Sequence, residues 1–203
     1  MPPPRSVLAP MLAVALLAAS CSSSESGSPS AQDPPATNER TTEPESSTPD
    51  APSVDRPEPI DLTTVDVCQV MSALPLRDYR LDADRPPLAG ESDLFPGAKD
   101  CFAGGRSNNV SLLIVAVTSQ GASSYVDTAN VAARSDTSAA GYPLTVLTPE
   151  NPASCIGIVD VHDGQLLYIS YALNSPVEQP VTPQPELCRT VPAIATAAIG
   201  ALG

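Results

Sequence analysis

The apolar positions of this chain fall into three regimes. Residues 6–19 form an almost uncharged apolar run, residues 22–60 carry only Val54 and Ile60 as large aliphatics, and from Leu62 onward apolar residues return with regular spacing. In 62–74, Val67, Val70, Met71 and Leu74 line one helical face, with Thr63 or Thr64 as the expected N-cap and Pro75 as the stop. Residues 77–97 are polar and broken by Pro and Gly, which predicts a long loop. Residues 101–103 and 110–117 read as strands flanking the turn-rich Gly104-Gly105-Arg106-Ser107-Asn108-Asn109, and 123–133 reads as a helix. A short strand is expected at 144–147, between Pro143 and Pro149. Residues 156–161 and 165–173 are apolar runs joined through His162-Asp163-Gly164, and Asp-Gly in that setting is a strong hairpin signal. Leu187, Val191, Ile194, Ala198 and Leu202 mark a closing helix, whose regular part is expected to start near Thr190 because of Pro192. The order predicts an α+β domain: an antiparallel sheet of about five strands with helices packed against it.

Composition separates the parts more sharply. Of the 203 residues, 23 are acidic and 10 basic, for a net charge of −13, and 24 are proline. Phosphate neutralisation needs clustered Lys and Arg, so nucleic acid is excluded as a partner. Residues 22–60 are rich in Ser, Thr, Pro and acids, and cannot bury enough apolar surface to offset their ordering entropy. Residues 21–60 are therefore expected to act as a disordered spacer, reaching about 30–37 Å as a random coil and roughly 120 Å if fully extended. Residues 61–203 are long enough for one domain, with seven bases against fifteen acids, a net −8.

The first residues look like a processing signal. Arg5 and the α-amine give a small positive start, the apolar run follows, and Ala18-Ala19-Ser20 leads directly into Cys21. Small residues before a cysteine at the end of such a run resemble the lipobox of bacterial lipoproteins, with Ala18 where Leu is commonest. The resemblance implies removal of residues 1–20 and diacylation of Cys21, and acyl chains at about 0.8 kcal/mol per buried CH₂ would hold the protein on a membrane. An ordinary signal peptide is the competing reading. A spanning anchor is disfavoured, because roughly 14 apolar residues with Pro10 among them fall short of the ~20 that a span needs. The domain is thus expected in the cell envelope, outside the cytoplasm.

Four further cysteines remain: Cys68, Cys101, Cys155 and Cys188. In an exported domain an even number reads as disulfides, and no pair has the C-x-x-C spacing of a redox or zinc motif. Pairing Cys68 with Cys101 would tie the opening helix to the first strand. Pairing Cys155 with Cys188 would tie the hairpin to the closing helix. Each bond would close a loop of about 34 residues, worth roughly 3–4 kcal/mol in the chain-entropy model. Cys101–Cys155 across neighbouring strands is the open alternative. The lipobox, the acidic spacer, Asp66-Val67-Cys68-Gln69-Val70-Met71, Asp100-Cys101-Phe102, Ser154-Cys155 and Glu186-Leu187-Cys188 together resemble an actinobacterial family of lipoproteins, the mycobacterial Lpr/Lpp type with a four-cysteine domain. That resemblance implies an envelope location and no established activity.

Candidate chemistry is sparse. His162 is the only histidine and sits beside a turn with Asp163 next to it, a poor arrangement for a base and its orienter. Gly105-Arg106-Ser107-Asn108-Asn109 lacks the final glycine of a nucleophile elbow, and no phosphate-binding glycine motif is present. Asp82, Asp84, Glu91 and Asp93 crowd one loop, but Arg77, Arg80 and Arg85 interleave with them, so a solvated loop is expected in place of a calcium site. Leu166, Leu167, Tyr168, Ile169 and Tyr171 make both faces of one strand apolar, which fits either a strand covered on both sides or a groove for a lipid tail or peptide. Asn109-Val110-Ser111 matches the glycosylation sequon and carries little weight behind a bacterial lipobox. The expectation is a non-enzymatic domain without metal or cofactor that binds an envelope protein or a hydrophobic small molecule. The alternative is a sensory or accessory ectodomain for a receptor kinase or transporter.

Overall fold

The computed structural model describes residues 55–203; the leader, Cys21 and most of the expected spacer lie outside the described residues. Seven strands form one antiparallel sheet: β1 (Leu88–Glu91), β2 (Lys99–Gly105), β3 (Val110–Val117), β4 (Ala133–Ala139), β5 (Tyr142–Thr148), β6 (Ser154–His162) and β7 (Gln165–Leu173). Their spatial order is β1-β2-β3-β7-β6-β5-β4. Three α-helices accompany them, α1 (Val67–Ala73), α2 (Ala122–Thr128) and α3 (Gln184–Gly200).

The predicted sheet of about five strands is corrected to seven. Both additional strands are edges with no apolar alternation: β1 falls in the expected loop and is exposed throughout, and six of the seven β4 residues are exposed. Pairing with β2 and β5, not burial, makes these residues extended. The β4–β5 hairpin turns through Ala140 at φ +50° and Gly141 at φ +88°, a primed-type turn without the Asn-Gly or Asp-Gly that would announce it.

Three helix expectations shift as well. Helix α1 starts later than expected, because Asp66 and not a threonine is the N-cap. Its carboxylate accepts from the N–H groups of Cys68 and Gln69, while Leu62–Thr64 forms a separate 3-10 turn capped by Asp61. Helix α2 is shorter than 123–133 and ends at Thr128, where the Thr128 hydroxyl bonds back to the carbonyls of Ser124 and Tyr125. Helix α3 starts six residues before Thr190, with a proline in its first turn and Pro192 inside it. Leu187, Val191, Ile194, Ala195, Ala198 and Ile199 bury one stripe of α3 across both sides of Pro192, and that burial outweighs the lost backbone donor.

The sheet is covered on both faces. On one face Leu112, Ile114, Leu167, Ile169 and Tyr171 pack with α1 and α3 in the main core. On the other, Val115, Val117, Ile158, Leu166 and Tyr168 pack with Phe95 and α2 in a smaller core. There the rings of Phe95, Tyr125 and Tyr168 meet at 5.3–5.9 Å between centroids, in tilted and edge-on pairs. Disulfides Cys68–Cys101, from α1 to β2, and Cys155–Cys188, from β6 to α3, staple the main-core face with Cα separations of 5.1 and 5.0 Å.

Close approach at Gly105 yields a first prediction. A Cβ built on Gly105 would run into the carbonyl oxygen of Arg80, whose segment lies directly on the end of β2. Gly105→Ala should therefore cost about 1–3 kcal/mol, read as a lower urea midpoint with disulfides intact. An unchanged midpoint would show that the segment yields freely.

Candidate functional site

The strand carrying the apolar pattern on both faces, 165–173, is not an open groove. Leu167, Ile169 and Tyr171 are buried in the main core and Leu166 and Tyr168 in the smaller one. Burial pushes the Tyr168 hydroxyl well above its ordinary pKa, with Tyr125 adding to the shift. Between the two expectations for this strand, the structure has it covered on both sides.

Openings in the surface lie at the other edge. Residues 82–88 form an arch along β2: the Asp82 N–H donates to the Gly104 carbonyl at 2.8 Å, and Leu88 pairs with Phe102. The intervening residues bow outward and are stiffened by Pro86-Pro87. Under this arch is an open hollow of about 700 Å³ with an apolar floor of Pro86, Leu88 and Phe102. Leu88 is 65% exposed and Phe102 37%. Arg85, Arg106, Asn174 and Glu178 supply its polar rim, and it is lined by no Ser, Cys or His. A second hollow of about 330 Å³ lies between β1 and the start of α1, with Val65, Asp66, Lys99 and Asp100 among its walls. Burial, and then the nearby Asp93, raises the carboxyl pKa of Asp100.

A hydrogen-bonded frame fixes the hollow. The Tyr171 hydroxyl, from the central strand, donates to the Tyr79 carbonyl at 2.8 Å, and the Tyr79 hydroxyl donates to the Ala193 carbonyl of α3 at 3.1 Å. Arg80 follows in the left-handed region at φ 60°, and its carbonyl accepts from the Asn108 side chain at 3.0 Å. The Asp82 carboxylate accepts from the Arg106 N–H at 3.3 Å. Asn109, only 2% exposed and at φ 54°, holds the loop after β7. Its side-chain amide donates to the carbonyls of Ser175 and Glu178 at 2.7 Å, and its side-chain oxygen accepts from the Ser175 N–H at 2.9 Å. The sequon asparagine is thus a buried structural residue, and nothing in its sequence context signals this role.

At the opposite end of the sheet, residues 55–60, read from the sequence as the end of the spacer, lie against the hairpin tips. Arg56, its side chain 9% exposed, donates to Asp160 at 2.8 Å and Asp163 at 2.6 Å. The Ile60 N–H donates to the Val161 carbonyl at 2.8 Å, and the Tyr142 hydroxyl to the Glu58 carbonyl at 2.6 Å. The hydrogen bond from Arg56 holds the Asp163 carboxyl below its ordinary pKa. His162 is beside this strap, with its Nδ1 2.8 Å from the Asp163 carbonyl oxygen and, among the described residues, no nucleophile hydrogen-bonded to it. Among the described residues, no three His, Cys, Asp or Glu side chains gather where they could hold a metal ion, so the acids of 82–93 are not brought together. No described helix is long and apolar enough to cross a membrane.

These features define a class: a four-cysteine α+β domain, stapled on one sheet face and open beside an edge strand. The chain belongs to the DUF3558 family, described as proteins of unknown function, whose model matches residues 16–201. No curated protein and no solved structure matches the chain.

Two predictions follow from the frame and the strap. Asn109→Gly keeps the left-handed backbone but removes the buried amide, and should cost about 1–3 kcal/mol while opening 174–180 to limited proteolysis. Wild-type stability and cleavage would refute that role. For the strap, a carboxyl whose folded pKa is depressed stabilises the fold above its ordinary value of about 3.9 and loses that contribution as pH falls through the folded value. Arg56→Met should thus lower the urea midpoint at pH 7, and the gap to wild type should close below about pH 4. A gap independent of pH would mean the strap acts through packing alone.

Proposed function

We propose that this protein is a membrane-anchored lipoprotein of the cell envelope whose extracytoplasmic domain binds a partner and performs no chemistry of its own. The observation that carries this reading is the open, apolar-floored hollow at the arch, bounded by a rigid hydrogen-bonded frame. Exposed apolar surface beside a few fixed polar groups is what a binding surface needs. The hollow brings together two arginines, two amides and two carboxylates, with no base poised on a nucleophile.

Anchoring is supported by the lipobox-like run of residues 6–20 into Cys21. The described chain begins against the hairpin tips, whereas the hollow lies at the other end of β7, roughly 25–30 Å away at ~3.3 Å per residue. The described chain thus begins at the end of the domain farther from the hollow. The openness of the hollow favours a protein partner over a fully engulfed lipid tail, since the sheet faces themselves are filled by the two cores.

Cys21→Ala should move the protein from the membrane fraction to the soluble fraction on cell fractionation. Retention of the variant in the membrane would overturn the anchored reading.

A further inference from the structure

Strand β1 is a free edge. It pairs only with β2 among the described residues. The Ser92 N–H donates to the Ala98 carbonyl at 2.9 Å, so antiparallel alternation turns the backbone groups of Leu88 and Gly90 toward β2 and those of Ala89 and Glu91 outward. Proteins commonly protect such an edge with proline, lysine or other charged side chains, a bulge, or by keeping it very short. The Leu-Ala-Gly-Glu of β1 is short, carries Glu91 paired with Lys99 and has the Asp100 carboxylate lying over Gly90. It has no proline, lysine or bulge of its own, and its outer edge has no strand partner among the described residues.

The two hollows flank this edge on opposite faces. Leu88 and Phe102 share the face of the larger hollow, whereas Ala89 and Cys101 share the face of α1 and the smaller one. A strand laid outside β1 would send alternate side chains into each. Charge narrows the occupant further. Arg85 and Arg106 on the rim of the larger hollow form no ion pair among the described residues, in a chain of net charge −13. Two carboxylates stand beside them: Asp82 accepts from the Arg106 N–H, and neither Asp82 nor Glu178 forms an ion pair with an arginine side chain among the described residues.

We propose that β1 docks an extended segment of a partner protein as an eighth strand, and that this segment carries a large apolar residue and an acidic residue two positions apart. The apolar side chain sits over Leu88 and Phe102, the carboxylate meets Arg85 and Arg106, and a small residue between them faces the smaller hollow. Main-chain bonds to Ala89 and Glu91 supply affinity, and the hollows supply specificity. This proposal rests on the reading of the domain as a binding module.

The test pans immobilised full-length protein against a phage library of random short peptides, then measures the enriched peptides by calorimetry on variants. Ala89→Pro removes an outward N–H and leaves the bonds of Leu88 and Gly90 to β2 in place. Arg85→Glu with Arg106→Glu reverses the charge of the rim. Enriched peptides should share the apolar-x-acid pattern and bind each of these variants at least about tenfold more weakly, roughly 1.4 kcal/mol. Arg134→Glu, on the far edge strand, should leave binding unchanged. Equal thermal midpoints would exclude misfolding, and the charge-reversed variant decides the matter if Ala89→Pro does not fold. Peptides that ignore both changes would sink the β1 edge and leave the binding-module reading standing. No enrichment at all overturns the edge proposal; native mass spectrometry then separates a small-molecule site, shown by a lipid-sized adduct, from failure of the module reading, shown by a bare mass.

Discussion

Burial of β7 on both faces is the constraint from which the rest of the structure follows. It lies between β3 and β6, near the middle of the sheet, and sends large apolar side chains to both sides. A strand of that kind has to be covered twice. Helices α1 and α3 supply one cover, a core large enough to hold Met71, Leu187 and Ile194 without exposure. The second cover is thinner: α2 has only seven residues, and Phe95 arrives from a loop. Of the seven aromatic residues in the chain, three are committed to that second core. The cover ends before β1 and β2, so Leu88 and Phe102 stay in contact with water. The hollow is thus a consequence of how far the second layer extends.

Rigidity is concentrated on the other face. The two disulfides join α1 and α3 to β2 and β6, and the Tyr171–Tyr79–Ala193 relay ties the central strand to α3 through the segment that starts the arch. A surface built on such a frame loses little conformational freedom when it binds, which is the main way a modest interface gains affinity. The side chains of the hollow provide charge, amides and apolar area on that frame.

Much of this was legible in the chain. The β6–β7 hairpin follows from two apolar runs around Asp-Gly, and 110–117 reads as a strand for the same reason that it forms β3: its apolar residues have two cores to enter. The cysteine pairs join elements that the pattern already places side by side. The spacing of Leu187, Val191, Ile194 and Ala198 marks α3, although Pro192 misplaces its start, because a helix anchored by burial and a disulfide tolerates a proline that local rules treat as a boundary. The candidate site is another matter. β1, β4 and the arch contain no periodic signal, and Asn109 looks like any turn asparagine until the loop after β7 folds over it.

By itself the sequence determined the α+β class, the central strands, the helical stripes and the stapled character of the domain, because each depends on spacing along the chain and on side-chain chemistry that acts locally. Only the tertiary structure decided which strands are edges, that Arg56 straps the chain to the hairpin tips, and that an apolar-floored hollow opens beside β1. These features arise between residues far apart in the chain, where the length of one layer and the reach of another set what is covered and what is left bare.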